Sequence, residues 1–205
     1  MQLIRGLMDL GYQKFITTPH IYRGSYNNSR ATILPALEKL QASLKSNRIS
    51  VSIDAAAEYF FDEFFIEQVS QKQLLTFGDN YVLFELGFSV RPVMVEEIIF
   101  QMNVAGYKPV LAHPERYSFF HDRKLIELEK LKNTGVLFQL NLMSLSNQYG
   151  NRARDIAREL IDQNMIEFAG SDIHRPLQLR SLSESMKDKY FLKLLASGKL
   201  LNQTL

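Results

Sequence analysis

Short apolar runs recur along this chain, and each of them ends at a histidine or a carboxylate. The runs are KFITTPH to His20, VSIDAAAE to Glu58, YVLFE to Glu85, PVLAH to His113, and IEFAGSDIH to Asp172 and His174. Runs rich in Val, Ile and Phe are typical of buried parallel strands. Helical patterns separate them, and no glycine-rich dinucleotide loop is present, which favours a barrel over a nucleotide-binding sheet.

The hydrophobic periodicity predicts an α/β fold in which the chain opens on a helix. The predicted strands cover 14–18, 51–57, 81–86, 109–113, 136–141 and 166–170. The predicted helices cover 2–10, 31–46, 92–105, 123–133 and 151–163, with two further pieces in 176–201. Six strands are one or two fewer than a closed barrel needs, so we expect an N-terminal strand to be missing.

Composition excludes several classes of function. A formal net charge of +2 gives no electrostatic case for nucleic-acid binding. No apolar window approaches the ~20 residues of a membrane span, and the first twelve residues do not read as a secretory signal. Because the chain has no cysteine, thiolate metal ligands and a cysteine nucleophile are excluded, and a cytoplasmic location is expected.

The carboxyl ends of parallel barrel strands share one face, so the residues that end the runs are expected to converge there. Six His, Asp and Glu residues at that face indicate a metal site with more than one ion. Structural alternatives stay open for each of them: a satisfied histidine, an ion pair for Glu85, a helix cap for Asp172. Arg116, close behind His113, suits a phosphate, and its alternative is a salt bridge with Glu115 or another acid.

Several segments together resemble one family of enzymes. They are TPHIYRGSYNN, AAEY, NYVLFE, GYKPVLAHPERY, FQLNLMSLSNQYG and GSDIH. They resemble the manganese-dependent bacterial protein-tyrosine phosphatases of the polymerase and histidinol phosphatase (PHP) superfamily, which accompany capsular and exopolysaccharide synthesis. The resemblance implies a distorted (β/α)7 TIM-like barrel, the PHP fold, formed by one domain over residues 1–205 and holding three metals.

The same resemblance implies roles for individual residues. The metal ligands would be Glu58 bridging two ions, Glu85 and His113 on the second, Asp172 on the first, and His20 and His174 on the third. Arg116 would grip the phosphate, and Arg180 is the nearest match to a second helpful arginine, with Arg175 behind it.

The chain departs from this family at its start. The family begins with a strand carrying His-x-His and a loop with an Asp-Asp-Gly element, and this sequence starts after both. We therefore expect an N-terminally truncated barrel, open beside residues 14–18 and inclined to form homo-oligomers. We also expect it to bind fewer than three ions, with the second position held best.

These observations lead to one main functional hypothesis and two alternatives. The main one is a metal-dependent phosphotyrosine-protein phosphatase that uses manganese, with iron or zinc as other candidates, and acts on a polysaccharide-export tyrosine kinase. The first alternative is a small-molecule phosphomonoesterase resembling histidinol phosphatase. The second is an inactive truncated domain that binds a partner without turnover.

Overall fold

A computed structural model describes residues 1–121 and 125–205. The helices of this part of the chain are α1 (Gln2–Asp9), α2 (Arg30–Ser46), α3 (Glu63–Gln71), α4 (Val95–Val104), α5 (Ile126–Lys132), α6 (Gly150–Asp162), α7 (Gln178–Ser185) and α8 (Lys189–Ala196). The strands are β1 (Lys14–Thr17), β2 (His20–Tyr22), β3 (Tyr26–Asn27), β4 (Ser52–Ala55), β5 (Glu58–Phe60), β6 (Tyr81–Glu85), β7 (Lys108–Ala112), β8 (Leu137–Asn141) and β9 (Phe168–Gly170). Short 3₁₀ turns cover Pro114–Arg116, Ser118–Phe120, Leu142–Ser144 and Leu201–Thr204.

The strands form two sheets. Seven of them lie in the order β3-β2-β5-β6-β7-β8-β9, and all neighbours are parallel except the β2–β3 hairpin. β1 and β4 form a separate parallel pair. The large sheet is curled like part of a barrel, so the predicted α/β class and barrel-like arrangement are confirmed.

The predicted strands 14–18 and 51–57 are observed as β1 and β4, and each is followed by a short strand that the sequence did not predict. The segment 14–18 gives β1, and the chain resumes as β2 only after Pro19, because proline cannot donate a backbone hydrogen bond. The segment 51–57 gives β4, and β5 begins only after Ala56 and Ala57. His20 and Glu58 are therefore the first residues of new strands, where they lie opposite each other in register.

The other elements follow the predictions with small shifts at their ends. The helix expected from Pro92 begins at Val95, and α7 and α8 confirm the two helical pieces of the tail. The predicted helix over 123–133 is observed as α5, while its first two positions lie outside the described residues. The sequence analysis missed the β2–β3 hairpin and α3, whose first turn is capped by Asp62 Oδ1 accepting from Phe65 N at 2.9 Å.

The sheet has an apolar cluster on each face. One face packs against the helices through residues such as Val82, Phe84 and Leu111. The other face carries a cluster that includes Leu83, Val110 and Phe168. Because side chains alternate along a strand, the residue two places beyond Leu83, the site candidate Glu85, lies on the same face as Leu83.

The C-terminal segment covers the edge of β9 that does not pair with β8. Leu201 N donates to Glu167 O at 2.8 Å. Ala169 N donates to Asn202 Oδ1 at 2.9 Å, and Asn202 Nδ2 donates to Ala169 O at 3.0 Å. These bonds satisfy backbone groups that an edge strand otherwise exposes. In the described part of the chain, no helix has the length and apolar character needed to cross a bilayer.

We expect Phe168→Ala to destabilise the fold far more than Phe100→Ala. Phe168 is 1% exposed and makes edge contacts with Phe77 and Tyr81, whereas Phe100 is 66% exposed on α4. Removing a buried phenyl ring from a core costs about 3–5 kcal/mol. Urea denaturation of both variants measures the difference, and equal losses of unfolding free energy would contradict this description of the core.

Candidate metal centre

Four of the predicted ligands converge at the carboxyl end of the large sheet. Glu85 is the last residue of β6, and His113 directly follows β7. His113 has φ 37°, in the left-handed region that residues other than glycine seldom adopt. Pro114 comes next and begins a 3₁₀ turn, so strand, turn and proline together fix the direction of the imidazole. With His20 and Glu58 at the start of their strands, all four side chains meet.

The two imidazoles approach the same two carboxylates. His20 Nδ1 is 3.1 Å from Glu85 Oε1 and 4.0 Å from Glu58 Oε2. His113 Nε2 is 3.2 Å from Glu58 Oε1 and 3.6 Å from Glu85 Oε2. Glu58, Glu85 and His113 are buried. We call these four residues the carboxylate–imidazole cluster.

The cluster fits a divalent transition metal. One ligand atom from each of His20, Glu58 and Glu85 lies within 4.8 Å of the others. His20 Nδ1 and Glu58 Oε1 are buried and have no hydrogen-bond partner of acceptable geometry, despite their short distances to neighbouring polar atoms. Lone pairs that point at a common position without hydrogen-bonding each other suit a shared cation. Imidazole and carboxylate donors without thiolate suit manganese, iron or zinc.

The pKa values of Glu85 and His113 are shifted in opposite directions, because each charged group stabilises the other. Burial would raise the pKa of Glu85, but the close imidazoles of His113 and His20 outweigh it and lower the pKa to about 2. Burial would lower the pKa of His113, but the carboxylates of Glu58 and Glu85 raise it to about 10. The close approach of Glu85 raises the pKa of His20 as well. The buried carboxyl group of Glu85 therefore stays ionised because imidazoles face it.

A second group lies next to the cluster and contains the remaining predicted ligands. Asp172 Oδ2 accepts from Arg116 Nη1 at 3.0 Å and from Asn141 Nδ2 at 2.8 Å. His174 Nδ1 is 3.5 Å from Asp172 Oδ1, and its ring stacks on that of His20 with centroids 5.6 Å apart. The structure thus brings all six predicted metal ligands and Arg116 together at one end of the sheet.

The two predicted arginines are placed differently. Arg116 pairs with Asp172 and not with Glu115, and its guanidinium lies over the rings of Tyr149 at 4.1 Å and Phe88 at 4.8 Å. Arg180 is on α7, with a side chain 86% exposed and paired with Glu184 one turn along the same helix. Its described contacts do not join it to the cluster.

Sequence reasoning missed two polar residues that support the site. Asn141 ends β8 as the predicted ligands end their runs, but an amide was not counted among candidate ligands. Glu115 is fully buried, and burial raises its pKa. Its Oε1 accepts from Asn141 N at 3.1 Å and from Ser144 Oγ at 2.7 Å. Glu115 therefore ties the loop after β7 to the loop after β8.

The fold and the site define a barrel-like α/β protein with a cluster of His and Glu side chains that could hold a metal ion. The family model described as "Capsular polysaccharide synthesis, CpsB/CapC" matches residues 1–190. The chain therefore belongs to the CpsB/CapC family.

Three comparisons describe its neighbours. The tyrosine-protein phosphatase YwqE of Bacillus subtilis (strain 168) is 27% identical over 175 residues, which cover 85% of this chain and 68% of that protein. A solved structure also matches this chain, with a TM-score of 0.79 at 25% identity, and the match covers 98% of this chain and 84% of the other. It comes from work on YwqE from Bacillus subtilis and CpsB from Streptococcus pneumoniae, which are named there as metal-dependent tyrosine phosphatases. A phosphotriesterase homology protein from Escherichia coli, solved with phosphate in its active site, has a TM-score of 0.52 at 14% identity over 96% and 82%, and supports the fold alone.

We expect Glu115→Ala to lower the free energy of unfolding by about 1–3 kcal/mol, because Asn141 N and Ser144 Oγ would lose their buried acceptor. Glu115→Gln keeps an acceptor oxygen and removes the buried charge, so it should change stability little. Urea denaturation of the metal-free proteins measures both, and a Gln variant as unstable as the Ala variant would show that the charge is required.

Proposed function

We propose that this chain is a metal-dependent phosphotyrosine-protein phosphatase that acts in capsular or exopolysaccharide synthesis. The observation that carries the proposal is the meeting of the carboxylate–imidazole cluster with Arg116 at one end of the sheet. A cation site beside a positioned guanidinium suits hydrolysis of a phosphomonoester, because both stabilise negative charge that develops on the phosphate oxygens. Membership of a capsular polysaccharide family and the names of the relatives support the same activity.

The metal ligands in this proposal are the six residues at the strand ends: His20, Glu58, Glu85, His113, Asp172 and His174. The proposed metal is manganese, with iron and zinc as alternatives of the same ligand preference. When bound, metal ions would lower the pKa of a water molecule and so supply hydroxide at neutral pH. Glu58 and Glu85 would hold the cation through their side-chain oxygen atoms, and the lowered pKa of Glu85, about 2, keeps that carboxyl group ionised at neutral pH.

Arg116 is the proposed phosphate ligand. Asp172 accepts one of its N–H groups, and the rings of Phe88 and Tyr149 hold the plane of the guanidinium. A guanidinium fixed in this way can donate paired hydrogen bonds to two phosphate oxygens and stabilise charge that develops on them. The 205 residues contain no cysteine, so a phosphocysteine intermediate is excluded.

The proposal also names a substrate protein, a cellular location and a role for Arg180. The substrate would be a phosphotyrosine protein, and a tyrosine kinase of polysaccharide export is the candidate that the family function suggests. Residues 1–205 would act as one catalytic domain in the cytoplasm. Arg180 would contribute as a second arginine near the phosphate.

Hydrolysis of a phosphotyrosyl peptide and of histidinol phosphate, each with and without manganese, tests this function. We expect manganese-dependent release of phosphate that favours the peptide and stops when the metal is chelated. A preference for histidinol phosphate would favour the small-molecule alternative. Metal binding with no turnover of either ester would favour the inactive binding domain.

We expect Arg116→Ala to reduce turnover of the peptide by more than about tenfold, because stabilisation of charge in the transition state is lost. Metal content should stay intact, because Arg116 has no described ion pair with Glu58, Glu85 or His113, where the metal is held best. Arg180→Ala tests the second arginine, and Arg5→Ala, on the exposed side of α1, is the matched control. Wild-type turnover in Arg116→Ala would exclude the proposed role.

We expect manganese to be held best where Glu58, Glu85 and His113 meet, because these side chains are buried and their polar atoms lie close together. Glu85→Gln should then remove most of the bound manganese, whereas Glu38→Gln on the exposed face of α2 should not. Mass spectrometry for metals after dialysis measures the manganese that each variant retains. Wild-type manganese content in Glu85→Gln would contradict this assignment of ligands.

A further inference from the structure

Two solvent-exposed aromatic side chains lie against the carboxylate–imidazole cluster. Tyr26 is 54% exposed and Phe88 is 43% exposed. The ring of Tyr26 is 5.1 Å from that of His20, and the ring of Phe88 is 5.7 Å from that of His113. We call Tyr26 and Phe88 the aromatic rim.

The two rings lie beside different histidines of the cluster. His20 and His113 approach Glu58 and Glu85 through different oxygen atoms, and each histidine has one rim residue beside it. Tyr26 comes from the β2–β3 hairpin, and Phe88 comes from the loop that follows β6. A group bound at the carboxylates would therefore lie near aromatic rings from two separate segments.

The backbone around both rim residues is anchored. Phe88 O accepts from Ser118 N at 3.1 Å and from Ser118 Oγ at 3.0 Å. Tyr26 O accepts from Asn28 N at 2.8 Å, and Asn28 Nδ2 in turn donates to His20 O at 2.9 Å. The backbone positions that carry the two rings are thus fixed before any ligand binds, which reduces the entropy that binding must remove.

Phe88 also contacts the proposed phosphate ligand. The guanidinium carbon of Arg116 lies 4.8 Å from the centre of the Phe88 ring. An ester whose phosphate meets Arg116 must direct its organic group away from the buried carboxylates, toward the exposed rim. An aryl group at this point offers a flat face to the rings, whereas an alkyl ester offers none, so stacking would favour aryl substrates.

We infer that Tyr26 and Phe88 are specificity-determining residues that stack on the ring of an aryl phosphomonoester and so select it over alkyl phosphomonoesters. The inference rests on the proposed phosphatase function and deepens it, because it assigns to these residues the preference for phosphotyrosine over phosphoserine.

The test compares Tyr26→Leu, Phe88→Leu and the double variant with the wild-type chain. Val90→Ala is the control, since Val90 is apolar, 76% exposed and on the same loop as Phe88. One measurement is kcat/KM for phosphotyrosine and for phosphoserine in manganese. The other is the affinity for benzylphosphonate and for propylphosphonate, measured by calorimetry. Both have a P–C bond that is not hydrolysed, and only benzylphosphonate carries an aryl ring.

We expect the double variant to lose about tenfold of the aryl-over-alkyl ratio, which corresponds to ~1.4 kcal/mol, in both measurements. Loss of the Phe88 ring that lies over Arg116 lowers the values for both ester classes, but those for phosphotyrosine and benzylphosphonate should fall about tenfold further than those for phosphoserine and propylphosphonate. Val90→Ala should keep the wild-type ratio. An unchanged ratio in the double variant overturns the inference. Equal losses on aryl and alkyl ligands also overturn it, because they would show that the rings only support His113 and Arg116.

Failure of the proposed function is a separate result. A wild-type chain that hydrolyses neither ester would contradict the phosphatase activity, and the ratio of phosphonate affinities would still decide whether the rim selects aryl groups.

Discussion

Two buried carboxylates, Glu58 and Glu85, are the constraint on which the rest of this site depends. Carboxylates removed from water are costly unless a cationic group faces them, and here His20 and His113 do so from two sides. The same demand for positive charge explains both the opposite pKa shifts of Glu85 and His113 and the suitability of the cluster for a divalent ion. Stability without metal and affinity for metal therefore have one origin.

The fold meets this demand through interruptions in its strands. Breaks before His20 and Glu58 place two ligands at the start of short parallel strands, in register with each other. β6 and β7 run without a break and deliver Glu85 and His113 from their carboxyl ends. A chain of hydrogen bonds orients Arg116. Glu115 accepts from the backbone N–H of Asn141, the Asn141 side chain donates to Asp172, and Asp172 accepts from Arg116. Precise placement of the guanidinium thus depends on residues that touch no substrate.

The sequence predicted the barrel-like class and the meeting of six ligand candidates, because apolar runs that end in His or acid leave few other solutions. It did not predict β2 and β5, which begin at His20 and Glu58, because strands of three residues are recognised only from their pairing in the sheet. It also missed Glu115 and Asn141, whose roles arise from contacts between distant loops. The exposed rings of Tyr26 and Phe88 could not be recognised from periodicity, because their significance lies in which histidine each one contacts.

The central claim is that the carboxylate–imidazole cluster is the principal metal site of this chain. Anomalous diffraction at the manganese absorption edge, from crystals grown with manganese, tests it most directly. The account predicts that the strongest peak lies within bonding distance of Glu58, Glu85 and His113. A strongest peak elsewhere on the chain, or no peak at the cluster at saturating manganese, would contradict it.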